Sequence, residues 1–496
     1  MQSVVAESER VKTGVPGLDE VLGGGLVRDR IFLVQGAPGT GKTTLGMQFL
    51  LEGIAAGERG LYISLSETRE ELRSSAASHG FELGALEIFE RPDDPAGVGD
   101  QTLFHPAEVE LGEMMRTLLD EVERVRPTRV VFDSLTEIRL LSQSVLRFRR
   151  QIDELKRFFV GRHCTVLLLD EDFEEVQQVQ TIAHGVVCIE QLAPVFGSER
   201  RRLRVSKLRG VRYRGGYHDF RIRTGGLVVY PRLVAAEHHE AFELRPVSSG
   251  IEGLDALLHG GPDWGTTTLI MGPAGVGKSS IAVHYALAGV GRGEHGVMFL
   301  FDEGPPTLFA RSKGLGLDVE AAAARGTLTI RQMDPAEVSP GEFACLVREH
   351  VEAEHARIVV IDSLNGYLNA MPEERFLAAQ LHELFSYLRQ RGVLTLVVVA
   401  QHGFVGAQLE TPVDVSYLAD TVLLVRNYEY GGRLLRALSA VKKRSGAHET
   451  TIREFSMGRH GIEVGPPLES LRGVLLGVPE AVGPSGAGGR HARSSE

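Results

Sequence analysis

"GAPGTGKT" occupies residues 36–43 and "GPAGVGKS" occupies residues 272–279. Each fits the GxxxxGK[ST] pattern of a phosphate-binding loop. Glycines let the backbone curl until several N–H groups converge on phosphate oxygens, and the helix that follows adds the partial positive charge of its N-terminus. Lys42 and Lys278 are placed to reach the β- and γ-phosphates, and Thr43 and Ser279 to put a hydroxyl on Mg2+. The nucleotide-binding set is therefore Gly36, Gly39, Thr40, Gly41, Lys42, Thr43 and Thr44, with Gly272, Gly275, Val276, Gly277, Lys278, Ser279 and Ser280 as its second copy. An apolar run enters each loop, "RIFLVQ" (30–35) and "TTLIMG" (267–272), and a helical pattern leaves it. That strand-loop-helix context separates a phosphate loop from a glycine-rich turn that happens to carry Lys-Thr.

The two loops are landmarks of a duplication. "TGVPGLDEVLGGGLVRDRIFLVQGAPGTGKT" from Thr13 repeats as "SGIEGLDALLHGGPDWGTTTLIMGPAGVGKS" from Ser249, with Gly14 and Gly250, and Lys42 and Lys278, each 236 positions apart. A constant offset over so long a stretch means duplicated domains. Further apolar runs follow in each half: "GLYISL" (60–65), "RVVFD" (129–133) and "CTVLLLD" (164–170), then "GVMFLFD" (296–302), "RIVVID" (357–362) and "VLTLVVVAQ" (393–401). Runs without alternation suit parallel strands covered on both faces, and their alternation with helical segments predicts a doubly wound α/β core in each half. The boundaries expected are a short tail at 1–10, one domain over 11–235, a second over 236–478, and a Gly/Ser-rich disordered tail over 479–496. "RLVAAEHHEAFELRPV" (232–247) reads as the linker between them.

The composition bounds the rest. A chain of 496 residues is too long for one core. Its net charge of −11 disfavours nucleic acid as the main ligand, because a nucleic-acid surface needs a positive field. The cysteines, Cys164, Cys188 and Cys345, have no CxxC spacing, so neither a zinc site nor a disulfide framework is expected. The opening "MQSVVAESERVK" has no apolar h-region, and no apolar run approaches the roughly 18–20 residues of a membrane span. A cytoplasmic protein without membrane contact is expected.

Carboxylates at strand ends supply the remaining chemistry. Asp133 and Asp362 end strands and share the continuation "DSL", which fits a carboxylate that holds magnesium through its bound waters better than a helix cap that merely recurs. A group that orients or deprotonates the attacker is expected at the end of the second strand. There the first half has Ser66 and Glu67, and the second has Asp302 and Glu303. Serine cannot accept a proton near neutral pH, so hydrolysis in the first half requires that Glu67 take over. A K-x-R pair recurs late in each half, Lys207 and Arg209, then Lys442 and Arg444. Such a pair either guards an exposed strand or completes a neighbouring subunit's phosphate site.

These motifs together resemble the KaiC family of two-domain RecA-like ATPases and autokinases. The resemblance covers about residues 11–478. It rests on both phosphate loops, both "DSL" strand ends, "KLRG" (207–210), "IREF" (452–455) and "ESLRGVLLGVP" (469–479). "DSLNGYLNAMPEERF" (362–376) is similar to the non-cyanobacterial branch of the family. The resemblance implies tandem RecA-like phosphate-loop domains, each a mostly parallel sheet flanked by helices. It also implies a homo-hexamer with ATP and Mg2+ between neighbouring protomers, hydrolysis in the N-terminal ring and autophosphorylation in the C-terminal ring. It makes Lys207, Arg209, Lys442 and Arg444 trans-acting groups. It makes Ser416, with Thr411 nearby, the phosphoacceptor; Tyr417 stands where the family has a threonine. The tail after Pro479 is unlike the family's partner-binding C-terminus, so the signalling partners are not named by it.

The leading expectation is an ATP-dependent serine/threonine autokinase with ATP hydrolysis, its phosphoryl transfer centred on the second loop. Two other classes compete: a DNA-associated RecA-type motor, opposed by the net charge and by the lack of a basic, aromatic-bearing loop, and a nucleotide-gated scaffold with little turnover.

Overall fold

The computed structural model describes residues 9–90, 106–171, 177–193, 197–369, 377–401 and 416–481. The chain divides into two compact units, Met1–Arg232 and Leu233–Glu496. Part of the expected C-terminal tail, 482–496, and the start of the N-terminal one, 1–8, lie outside the described residues.

The first unit is built on a sheet of strands β1 (Ile31–Gln35), β2 (Gly60–Ser64), β3 (Glu87–Glu90), β4 (Arg129–Asp133), β5 (Thr165–Asp170), β6 (Gly185–Leu192), β7 (Arg200–Leu208), β8 (His218–Arg223) and β9 (Gly226–Tyr230). Their order is β9-β8-β7-β6-β1-β5-β4-β2-β3. From β6 to β3 every pairing is parallel, whereas β6 to β9 form an antiparallel extension. The second unit repeats this with β10 (Thr267–Gly272), β11 (His295–Leu300), β12 (Leu328–Gln332), β13 (Ala356–Asp362), β14 (Leu394–Ala400), β15 (Thr421–Tyr430), β16 (Arg433–Lys443), β17 (Ile452–Gly458) and β18 (Gly461–Pro467), in the same order when each label is raised by nine. The expected tandem of mostly parallel sheets is the architecture found, and each apolar run of the sequence lies within a residue or two of a strand.

The sheet is covered on both faces, as its unalternating strands demand. In the first unit, Phe32, Val34 and Tyr62 point toward Met47, Phe49 and Leu50 of helix α1 (Lys42–Ala55). Leu33, Ile63 and Phe132 face Phe148, Ile152, Leu155 and Phe159 of the helix Val145–Phe159, whose apolar residues recur at helical spacing. Strand β7 announces itself differently, by alternation: Leu203 and Val205 are buried while Arg204 and Ser206 are exposed, the mark of an antiparallel strand with one covered face.

One internal tie recurs with different chemistry. The Gln48 amide of α1 accepts from the Leu227 N–H (2.7 Å) and donates to the Leu227 carbonyl (3.1 Å), fastening the helix to β9. The matching residue on helix α2 (Lys278–Gly291) is His284, whose Nε2 accepts from the Ile462 N–H of β18 (3.3 Å).

The stretch expected as a linker is folded onto the second unit. Leu233 and Ala235 join a core with Leu384, Tyr387 and Leu388. Glu240 donates its N–H to the Gln390 carbonyl (3.0 Å). The Phe242 ring lies over Gly392, where a Cβ would come within 2.6 Å of it. Its polar composition hid four spaced anchors, Leu233, Ala235, His238, whose ring packs edge-on against Tyr387, and Phe242.

Candidate nucleotide site

Parallel strands of a doubly wound sheet present their C-terminal ends to ligand. In each unit the phosphate loop, the second-strand carboxylates and the "DSL" aspartate all sit at that end. Gly41 and Gly277 cap α1 and α2 at φ 103 and 110. A Cβ on Gly41 would lie 2.7 Å from Ile222 Cδ1, and one on Gly277 2.6 Å from Met457 Sδ, so only glycine fits at either place.

In the first unit the buried Lys42 ammonium donates to the carbonyls of Gly36 (2.6 Å) and Ala37 (3.0 Å). Burial lowers its pKa, opposed by Asp133, Glu171 and Asp170. Thr43 Oγ1 donates to Asp133 Oδ2 (2.6 Å), and the buried Tyr62 hydroxyl donates to the same oxygen (2.5 Å). Glu67 closes a turn in which its N–H donates to Ser64 Oγ (3.1 Å), and Thr68 caps the next helix, Arg69–Ser78. Burial and then the charges of Asp133 and Glu71 raise the Glu67 pKa. Asp170, at the end of β5 beside the loop, is fully buried and pairs with Arg139. Burial pushes it up to about 6 despite that partner.

In the second unit a cavity of about 600 Å³ opens over the loop. It is lined by Gly275, Lys278, Ser279, Asp302, Glu303, Arg311 and Asp362, with Leu315 and Met457 among its apolar lining. The Lys278 ammonium donates to the Pro273 carbonyl (2.6 Å), and burial brings its pKa down to about 8 against the pull of Asp362 and Asp302. Burial lifts Asp362 to about 6, aided by Glu303 and Asp302 and opposed by the Ser279 hydroxyl and Arg311. Asp302 accepts from the Ser363 hydroxyl, and Glu303 is paired with Arg311, which also donates to Ser280 Oγ (3.3 Å).

The donor chemistry fits Mg2+. Each unit offers a loop hydroxyl and a buried carboxylate, all hard oxygens, and Asp362 Oδ2 is buried without a hydrogen-bond partner among the described residues. Those residues contain no cluster of three or more His, Cys, Asp or Glu able to cage a metal unaided. Mg2+ keeps several of its waters, so a loop hydroxyl, the phosphates and an aspartate that accepts from those waters can hold it. Thr43, Asp133, Ser279 and Asp362 are the residues that would hold it.

The basic pairs stand elsewhere. Strand β10 rises from Thr267 to the loop at Gly272, β15 runs parallel to it, and β16 returns antiparallel, pairing Lys442 and Lys443 with the start of β15. Lys442 and Arg444 therefore lie at the N-terminal edge of the sheet, four strand residues or about 13 Å below the loop. There Lys442 donates to the Ser416 carbonyl (2.9 Å) and Arg444 to the Tyr417 carbonyl (3.1 Å). The first unit repeats the device, with Lys207 on the Gln180 carbonyl (2.5 Å) and Arg209 on the Thr181 carbonyl (2.9 Å). The pairs lie within and just after the seventh strand of each sheet, late in each half as the sequence places them. Ser416 opens a short 3-10 turn, Ser416–Leu418; Thr411 lies outside the described residues.

Three participants escaped the sequence reading. Tyr62 is hidden in an apolar run, Arg311 in a helix, and Asp170 was quoted only as the last residue of a strand, although a carboxylate ending a buried strand is the same signal that marked Asp133.

The family model for the KaiC ATPase matches the chain twice, over residues 11–234 and 247–469. Relatives include the circadian clock protein KaiC3 of Synechocystis sp. (strain ATCC 27184 / PCC 6803 / Kazusa), 25% identical over 485 residues, which are 95% of this chain and 94% of that one. The circadian clock oscillator protein KaiC of Thermostichus vulcanus is 25% identical over 494 residues, 96% of this chain and 93% of that one. With two phosphate loops on duplicated RecA-like sheets and two matches spanning most of its length, the chain belongs to the KaiC family of ATPases and is an ATP-binding protein.

Proposed function

We propose that the protein is an ATP-dependent serine/threonine autokinase that also hydrolyses ATP, with phosphoryl transfer centred on the second phosphate loop. The observation that carries this is the 600 Å³ cavity over that loop, where Lys278 faces Asp302, Glu303 and Asp362. Lys278 draws charge from the β- and γ-phosphates. Asp302 and Glu303 sit where a hydroxyl or water must be oriented. Mg2+, held through Ser279 and Asp362, would supply charge neutralisation on the phosphate oxygens. The acceptor is Ser416, with Thr411 as its neighbour in sequence, and Lys442 and Arg444 brace the Ser416 turn.

The sheet sets a condition on this chemistry. Because acceptor and basic pair lie at the opposite edge from their own loop, they serve the loop of another copy. A homo-hexamer with ATP between protomers meets that condition, and signalling partners read its phosphorylation state. In the first unit Glu67 has no ion pair among the described residues, unlike Glu303, and its raised pKa suits a base. Hydrolysis there through Glu67 is part of the proposal. The test is incubation with γ-labelled ATP followed by site mapping. Label on Ser416 or Thr411 supports the autokinase; ATP binding with no label overturns it.

A further inference from the structure

The two loops offer their cation unequal carboxylates, and the inequality traces to one hydroxyl. A carboxylate oxygen has about two lone-pair sites. On Asp133 Oδ2 both are taken, by Thr43 Oγ1 (2.6 Å) and by Tyr62 OH (2.5 Å). Tyr62 is 1% exposed, so no water competes for its proton. The matching position in the second unit, 236 residues on and likewise two residues before the end of the second strand, is Met298, which is buried and has no hydroxyl to give. Asp362 has the Ser279 hydroxyl but no second donor of this kind, and its Oδ2 is buried without a hydrogen-bond partner among the described residues, in a side chain that lines the cavity.

We propose that the first site holds the Mg2+ of its nucleotide more weakly than the second, and that the Tyr62 hydroxyl is the cause. An ion of this type keeps several waters, and the aspartate acts by accepting hydrogen bonds from them. In the second site that acceptor stands ready. In the first, the incoming water must displace a phenol from a short, charge-assisted hydrogen bond. Loss of an outer-shell partner of this kind typically changes metal affinity 10–100-fold; Tyr62 masks the partner rather than removing it, so the lower end, about 10-fold, is expected.

The inference rests on both loops binding ATP with Mg2+. Its test uses the full chain with one site silenced at a time, by Lys42→Ala or Lys278→Ala. Binding of a fluorescent ATP analogue is titrated with Mg2+, and Mn2+ binding in the presence of ADP is followed by electron paramagnetic resonance. The first site is expected to need about 10-fold more cation than the second. Tyr62→Phe is expected to close most of that gap while leaving the second site unchanged. Equal cation requirements in the two silenced chains overturn the inference, as does a Tyr62→Phe chain that needs as much cation as before. The comparison of silenced chains decides the matter even where Tyr62→Phe does not fold. Nucleotide binding that ignores cation at both sites overturns the magnesium reading itself, a separate outcome.

Discussion

Glu67 and Glu303 occupy matching positions and stand in opposite electrostatic states. Glu303 is ion-paired with Arg311, while burial, and after it the charges of Asp133 and Glu71, raise the pKa of Glu67. Removing a general base costs on the order of 10²–10⁴ in rate. In a chain silenced at the second loop by Lys278→Ala, Glu67→Gln is therefore expected to lower phosphate release at least 100-fold with ATP binding retained. Steady release from that double variant would show that another group does the work. Arg311 lines the second cavity and reaches Ser280 beside the phosphate loop. A hydrogen bond from a guanidinium to an anion contributes about 1.5–3 kcal/mol. Arg311→Ala should weaken ATP at the second site roughly 10-fold or more and leave the first site as it was, as measured by equilibrium binding in the silenced chains. The loops, Asp133, Asp362 and the second-strand carboxylates were legible in the sequence because each is tied to a strand end by a fixed motif. Tyr62 and Arg311 were not, because a phenol in an apolar run reads as core and a helix arginine reads as surface; only the meeting of two strands, or of helix and loop, reveals their partners.

At the scale of elements, the phosphate loop is a strand, a turn and a helix whose junction only glycine allows. Gly277→Ala would force a side chain into a left-handed backbone and against Met457 and Phe455. It should cost at least about 1–2 kcal/mol of stability and abolish nucleotide binding at that loop, readable by thermal melting with and without ATP. Two histidines of the first unit act as neutral acceptors. His218 Nδ1 accepts from the Arg232 N–H (2.8 Å), and His184 Nδ1 from the Ile31 N–H (3.3 Å). Burial brings both down to about 4. A lowered histidine pKa favours the neutral fold, so this stability is complete above about 6.5 and is lost as pH falls toward 4. His218→Gln should lower the proton uptake that accompanies unfolding between those limits by up to about one proton, measured from the pH dependence of denaturant unfolding. The parallel core was legible from its unbroken apolar runs. The antiparallel extension was not read as such, because its alternating strands carry arginines on the open face and look like loops.

At the scale of the molecule, the chain is a duplication in which the same sheet serves two ends. The loops and carboxylates lie at one edge, and the basic pairs and Ser416 at the other. A mixture of two inactive chains tests whether the edges meet between copies. Lys278→Ala retains the basic pair, and Arg444→Ala retains the loop. Neither alone should label Ser416, and mixing should restore labelling on the Lys278→Ala chain. Mixtures as silent as their components would place both groups in one chain. The linker at 232–247 was misread at this scale, since its four anchors become visible only against Leu384, Tyr387 and Gly392.

The placement of loop and basic pair at opposite edges gives each unit a polarity, a donor end and an acceptor end. An interface that joins unlike ends is heterologous, and it propagates until rotation closes it. With the basic pair completing a neighbour's loop as proposed, an open run of copies leaves one loop unfinished and one basic pair idle at its tips. Only a closed assembly uses every site, so specific activity per chain becomes a gauge of closure.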